Sequence, residues 1–334
     1  MQNRTNVLNL VIVLVTFLLS GVAKAEDRQH VIVVVGAAGT DEYGAMFGEW
    51  ADRWRQAATE GQCDLTIVGQ DDQSDDLTSL KHCVTELVQS PSKESVWLVL
   101  IGHGTFDGRE ARFNLRGQDL TAAELAAILQ PVQRPVAVIN CSSCSSPFLN
   151  ALSGSGRIIV TATKDGAEIQ FSRFGDYLSA AIGNPDADID RDGQTSLLEA
   201  WLQASRRTEE FYESEGRLAT EHSLLDDTGD GKGSRAELYE GVRIRDNVKD
   251  QQQVDGRLAH RWHLVRSEAE RQLTPEHRQQ RDELEDQLEK LRQRKTTFAD
   301  EAEYLQALEK ILVPLARIYH SAAADAAEAS ASKP

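Results

Sequence analysis

The feature that most constrains this chain is a series of short, wholly apolar runs separated by amphipathic stretches. Val31-Ile32-Val33-Val34-Val35, Val96-Trp97-Leu98-Val99-Leu100-Ile101 and Val136-Ala137-Val138-Ile139 carry no polar residue. A strand with one wet face alternates, whereas a strand buried on both faces reads as a continuous apolar run. The runs therefore predict strands of a parallel sheet covered on both sides. The order is strand 31–36, helix 43–58, strand 64–68, helix 76–89, strand 96–102, helix 121–129, strand 135–140, a short helix 146–153, strand 157–162 and helix 174–182. Such alternation argues an α/β domain with a mainly parallel sheet of five to six strands and helices on both faces. Residues 108–119 read as an irregular excursion or hairpin beside the sheet's carboxyl edge.

Two of these strands end in reactive residues. Strand 96–102 runs into His103-Gly104, and strand 135–140 runs into Cys141. Ligand crevices of open α/β sheets lie at the carboxyl ends of the strands, so both side chains are expected at one cleft. A thiol beside an imidazole is the minimal kit for a cysteine nucleophile, with His103 as general base. Taken singly, His103 reads as a hydrogen-bonded histidine at a strand end and Cys141 as a small buried apolar residue; the pairing favours a site. A competing reading takes Cys141-Ser142-Ser143-Cys144 as a Cys-x-x-Cys redox pair between a strand and a helix, with Pro147 close by.

These motifs resemble the caspase-like cysteine peptidases, in the branch of legumain and the catalytic subunit of the glycosylphosphatidylinositol transamidase. Legumain's second motif reads Glu-Ala-Cys-Glu-Ser-Gly-Ser; here the run is Ile139-Asn140-Cys141-Ser142-Ser143-Cys144-Ser145. Cys144 stands for the glycine and Asn140 for the alanine. Gly36-Ala37-Ala38-Gly39 falls where legumain has Gly-Ser-Asn-Gly, so Ala38 replaces an asparagine that supports the histidine. The resemblance spans about residues 30 to 235. It implies a polypeptide substrate, Cys141 as nucleophile, and an oxyanion hole from the backbone N–H groups of Gly104 and Cys141. It also places substrate preference in cleft loops, here 163–172 with Lys164, Asp165 and Glu168. The alternative is a catalytically inactive caspase-like protein that binds calcium or a partner.

Asp188-Ile189-Asp190-Arg191-Asp192-Gly193-Gln194-Thr195-Ser196-Leu197-Leu198-Glu199 matches an EF-hand loop. Asp188, Asp190 and Asp192 hold the first, third and fifth places, Gln194 offers a carbonyl at the seventh, and Glu199 closes the twelfth. Ca²⁺ needs six to eight oxygens, and the glycine gives the turn that lets them converge. A degenerate second copy places Asp226, Thr228, Asp230, Lys232 and Glu237 at the corresponding positions. Both loops also read as Asp/Gly turns closed by capping boxes, Ser196 with Glu199 and Ser234 with Glu237. Glu221-His222 and Arg206-Arg207 read as solvated helical faces.

Residues 1–25 carry Arg4, an apolar stretch 7–22 and Ala23-Lys24-Ala25. That is the pattern of a signal peptide cut near Ala25, which predicts an exported, periplasmic or secreted protein with no stable membrane span. Cleavage removes Arg4 and Lys24 and no acid, taking the formal net charge from −17 to −19. Such acidity excludes nucleic acid as a partner and favours cations. An exported chain permits disulfides, and Cys63 with Cys83 would bridge one strand–helix unit; two buried free thiols are the alternative. The expected domain spans 26–241. A C-terminal region 242–334 follows, in which Leu284, Leu288 and Leu291, then Leu305, Leu308, Leu312 and Leu315, form helix seams. These predict a helical hairpin or coiled coil, with self-association or a helical partner through 280–320. Pro314 is expected to kink or end the second helix, and the Ala/Ser-rich tail from Ala322 to fray.

Overall fold

A computed structural model of the chain describes residues 28–71, 75–245, 247–248 and 254–331. Residues 1–25, where the sequence predicts a signal peptide, lie outside the described residues. The centre is a six-stranded sheet in the order β2-β1-β3-β7-β8-β9. Its members are β1 (His30–Val35), β2 (Asp64–Val68), β3 (Val96–Ile101), β7 (Val136–Asn140), β8 (Arg157–Thr161) and β9 (Leu224–Asp226). The first five are parallel, and β9 pairs antiparallel with β8. The expected α/β architecture is therefore the observed one. β4 (Gly104–Phe106), β5 (Ala111–Phe113) and β6 (Leu120–Thr121) form a small antiparallel sheet that is the excursion after β3.

Because strand side chains alternate between faces, each apolar run supplies two cores at once. Val31, Val33, Val35, Trp97, Val99, Ile101, Ala137 and Ile139 face α1 (Asp41–Glu60), α5 (Phe174–Ala181) and α6 (Leu197–Ser214). Ile32, Val34, Val96, Leu98, Leu100, Val136 and Val138 face α2 (Asp76–Gln89), α3 (Ala122–Leu129) and α4 (Ser146–Leu152). Thr121 and Glu124 make the expected capping box at the start of α3.

Three expectations need correction. Cys63 and Cys83 are free thiols. Cys63 borders the core on the α1 face and Cys83 the core on the other face, so the sheet stands between them. Residue 242 does not begin a separate region either. Val254, Ala259, Trp262 and Leu264 are buried in the α1-face core, and the Gln29 amide donates to the carbonyls of His263 and Leu264. α7 (Arg257–His260) belongs to this segment, and α8 (Glu268–Arg271) follows it. The hairpin proper is α9 (Pro275–Gln293) against α10 (Glu301–Ala331), joined through Leu284, Leu288, Leu291, Leu308 and Ile311. Third, α10 does not end at Pro314, and it continues past Ala322 to Ala331. Proline removes one intrahelical hydrogen bond, but Ile311 and Ile318, on either side of it, are anchored in separate buried clusters. Leu305, Leu312 and Val313 face outward.

Candidate active site

The site is set by register. β3 and β7 are neighbours, with Leu100 opposite Asn140. His103 lies an even number of residues beyond Trp97 and Ile101, and Cys141 continues the face of Ala137 and Ile139. Both therefore leave adjacent strand ends toward the α1 and α5 side.

His103 is half-buried in an aromatic nest. Its ring lies 4.6 Å from Tyr43, 5.1 Å from Phe47 and 5.9 Å from Phe171, each in edge geometry. Its Nε2 is 3.2 Å from the Ala38 carbonyl oxygen. A carbonyl only accepts, so Nε2 carries the hydrogen and Nδ1 is left as the basic nitrogen. Ala38 thus holds the ring through its main chain. Burial pulls the imidazole pKa below its usual value, and the Ala38 carbonyl opposes this.

Cys141 is 1% exposed. Its sulfur has no hydrogen-bond partner among the described residues. Burial pushes the thiol up to about 12, and the Glu221 carboxylate adds to the shift. Its N–H donates to Leu100 O at 2.9 Å, continuing the sheet ladder. That corrects the expected oxyanion role of Cys141: a donor spent on the ladder cannot also receive an oxyanion. Gly104 is pressed against the neighbouring turn, where a Cβ would stand 2.0 Å from Ser143 O.

The turn after Cys141 is tightly tied. The Ser142 N–H and hydroxyl both donate to Asn140 Oδ1, at 3.0 and 2.7 Å. Cys144 adopts φ 56°, a conformation that costs a non-glycine residue about 1–2 kcal/mol. The Cys144 N–H donates to Glu168 O at 3.0 Å.

Segment 163–172 then closes over the strand ends. The Glu168 carboxylate accepts from the Lys164 N–H at 2.9 Å and from the His222 N–H at 3.2 Å, and it meets His222 Nδ1 at 2.5 Å. Asp165 turns the segment by accepting from the Ala167 and Glu168 N–H groups. Glu221 is 3% exposed. It accepts from the Ser172 hydroxyl at 2.6 Å, the Arg173 and Phe174 N–H groups, and the Tyr212 hydroxyl at 3.1 Å. Glu221 and His222 are therefore not a solvated helical face; they lie in the strap before β9. Nothing in the local pattern marked them, because their partners are on a distant segment. Arg206 is exposed and paired with Glu210 one helical turn on, as a solvated face requires.

The first acidic loop brings together three of its predicted carboxylates but not Glu199. Asp188, Asp190 and Asp192 bring one carboxylate oxygen each within 4.8 Å of one another. Asp188 accepts from the Asp192 and Gly193 N–H groups, and Asp192 from Gln194 N–H. Glu199 points inward, with both oxygens engaged by the N–H groups of Ile189, Asp190 and Ser196. Gln194 uses its side-chain oxygen to accept from Ser267 N–H. His260 Nε2 lies 2.9 Å from Asp190 Oδ2, a contact with no sequence signal. The second loop is different. Asp226 accepts from Gly229 and Gly231 N–H, and Asp230 from Lys232 N–H. Glu237, however, is exposed and paired with Arg235. The N–H groups of Asp227, Thr228 and Ser234 are taken by buried Asp255. The set Asp226, Thr228, Asp230, Lys232 and Glu237 is therefore not brought together; the loop is closed by a carboxylate from the chain itself.

No family model matches this chain, and no curated protein does. Among solved structures, the crystal structure of the Drosophila initiator caspase Dronc aligns at a TM-score of 0.41 and 14% identity, covering 63% of this chain and 83% of that chain. At that degree the likeness says nothing about chemistry.

Proposed function

We propose that this chain is an exported cysteine peptidase of the caspase- and legumain-like type, acting on polypeptides with Cys141 as nucleophile and His103 as general base. The observation that supports it is the register: two neighbouring parallel strands deliver a thiol and an imidazole with a free Nδ1 to the same sheet face. In this reading the resting enzyme holds a neutral thiol and a neutral imidazole. Peptide binding opens segment 163–172, His103 takes the thiol proton, and the thiolate attacks the carbonyl. The C–N bond breaks as the protonated His103 gives that proton to the leaving amine, and water then hydrolyses the thioester to free Cys141. A second reading, an inactive relative that binds calcium or a partner, is favoured by the burial of the Cys141 sulfur. Among the described residues no helix is long and apolar enough to cross a membrane.

Alkylation of the purified mature protein, with the modified residue located by mass spectrometry, tests the site. Cys141 should label slowly at neutral pH. Its rate should climb about tenfold per pH unit between 7 and 10, because a thiol titrating near 12 gains thiolate in that proportion throughout. Cys141→Ala should abolish labelling by a peptide-like electrophile, and Cys144→Ala should not. The reverse would favour a Cys141/Cys144 redox pair. A plateau near neutrality would contradict the closed, neutral thiol.

Calcium at 188–199 is part of the same proposal. Three converged carboxylates repel one another, and a divalent cation would relieve that. His260 would have to release Asp190 for the ion to bind. Calcium at 100 times its Kd should stabilise the fold by about 2.7 kcal/mol. The effect would be read as a rise in melting temperature that Asp188→Ala with Asp190→Ala removes. Melting curves that coincide in millimolar calcium and in chelator would reduce the loop to a capped turn.

A further inference from the structure

The strap residues Glu221 and His222 hold a different part of the site from the dyad itself. We infer that they are positioning residues forming a two-point clamp, which keeps segment 168–174 closed over Cys141 and His103. Each anchor is specific. At one end the His222 N–H and Nδ1 grip the Glu168 carboxylate, and the Glu168 carbonyl accepts from Cys144 N–H. At the other end the Glu221 carboxylate receives Ser172, Arg173 and Phe174. It thereby caps α5, whose own N-cap Arg173 supplies no side-chain bond. Between and beside the anchors lie the residues that wall the site. The Phe171 ring rests on the His103 ring. At Gly175 an added Cβ would stand 2.8 Å from Cys141 Cβ and 2.7 Å from the Trp50 ring. The wall is that close, so a shift at either anchor moves it off the thiol.

The Glu221 oxygens accept from the Ser172 and Tyr212 hydroxyls and from the Arg173 and Phe174 N–H groups, and those N–H groups can only donate. Glutamine cannot replace it well. Whichever way the amide turns, its NH₂ faces the backbone N–H of Arg173, which can only donate, and opposed buried donors are costly. His222→Asn, by contrast, sets an amide nitrogen where Nδ1 stands and preserves the bond to Glu168.

The inference rests on the reading of Cys141 and His103 as the site. Its test is thiol exposure rather than turnover, so the clamp and the peptidase activity can fail separately. In the full mature chain at pH 8, iodoacetamide should modify Cys141 about tenfold faster in Glu221→Gln and in His222→Ala than in the wild type, as a local opening would allow. His222→Asn should restore the slow rate. Cys63, half-buried on the same core, is the internal control and should change less than about twofold. A capping role alone would lower the melting temperature without selective exposure of Cys141. If Glu221→Gln does not fold, the His222→Ala and His222→Asn pair decides. A Cys141 rate unchanged in the folded variants, or one that rises together with Cys63, overturns the clamp.

Discussion

Replacing Trp262 by alanine is expected to destabilise the α/β domain by about 3–5 kcal/mol, the usual cost of emptying a buried indole site. Trp262 is 7% exposed, and its ring meets Trp97 of the central strand at 6.0 Å. Its carbonyl also accepts from Leu197 N–H at the start of α6. The measurement is a guanidinium titration, in which the midpoint should fall with little change in slope. A companion truncation after residue 253 should fail to give the folded domain, since it removes Trp262, Ala259 and Leu264 from the core. A loss under about 1 kcal/mol for Trp262→Ala would mean that 254–265 is an appendage and not part of the core.

The second large effect concerns the charges that fasten the hairpin to the sheet's amino edge. Glu270 is 3% exposed and is paired with Arg281 and, at 3.4 Å, with Arg278. Arg278 in turn meets Glu94, which precedes β3, at 3.0 Å, and Arg266 meets the same carboxylate at 2.6 Å. Arg281→Ala should cost about 3 kcal/mol, because it leaves a buried carboxylate short of its cation. Arg281→Leu combined with Glu270→Leu should recover most of that loss, since an apolar pair of similar volume needs no desolvation of charge. Urea melts of the two variants distinguish the outcomes. Equal losses would show that packing by the arginine stem, not charge pairing, holds the joint.

The closed thiol follows from the same balance. Cys141 sits at a strand end, where the sheet still takes its N–H, and on a face where α1 and α5 still take its sulfur. An active form must therefore give up packing around Phe171 and Gly175. The energy for that opening has to come from contacts a peptide makes, not from the free chain.

Much of this was legible in the order of residues. Continuous apolar runs require burial on both faces, and that alone dictated a parallel sheet between two helical layers. The period of two then put His103 and Cys141 on one face, because each lies an even number of residues beyond core positions of its strand. The spacing of Asp188, Asp190, Asp192 and Gly193 likewise contains its own turn, since the bonds that close it span two to five residues. What only the tertiary structure decided are the partners that arrive from far along the chain. Glu221 binds groups 47 to 49 residues away. Asp255 fills a cradle 21 to 28 residues away, which makes the second acidic loop self-sufficient. Trp262 completes a core begun more than two hundred residues earlier. Periodicity reports which face of an element is dry, but not which distant carboxylate or ring will reach it. That choice belongs to packing, where most buried donors find an acceptor and most gaps a side chain.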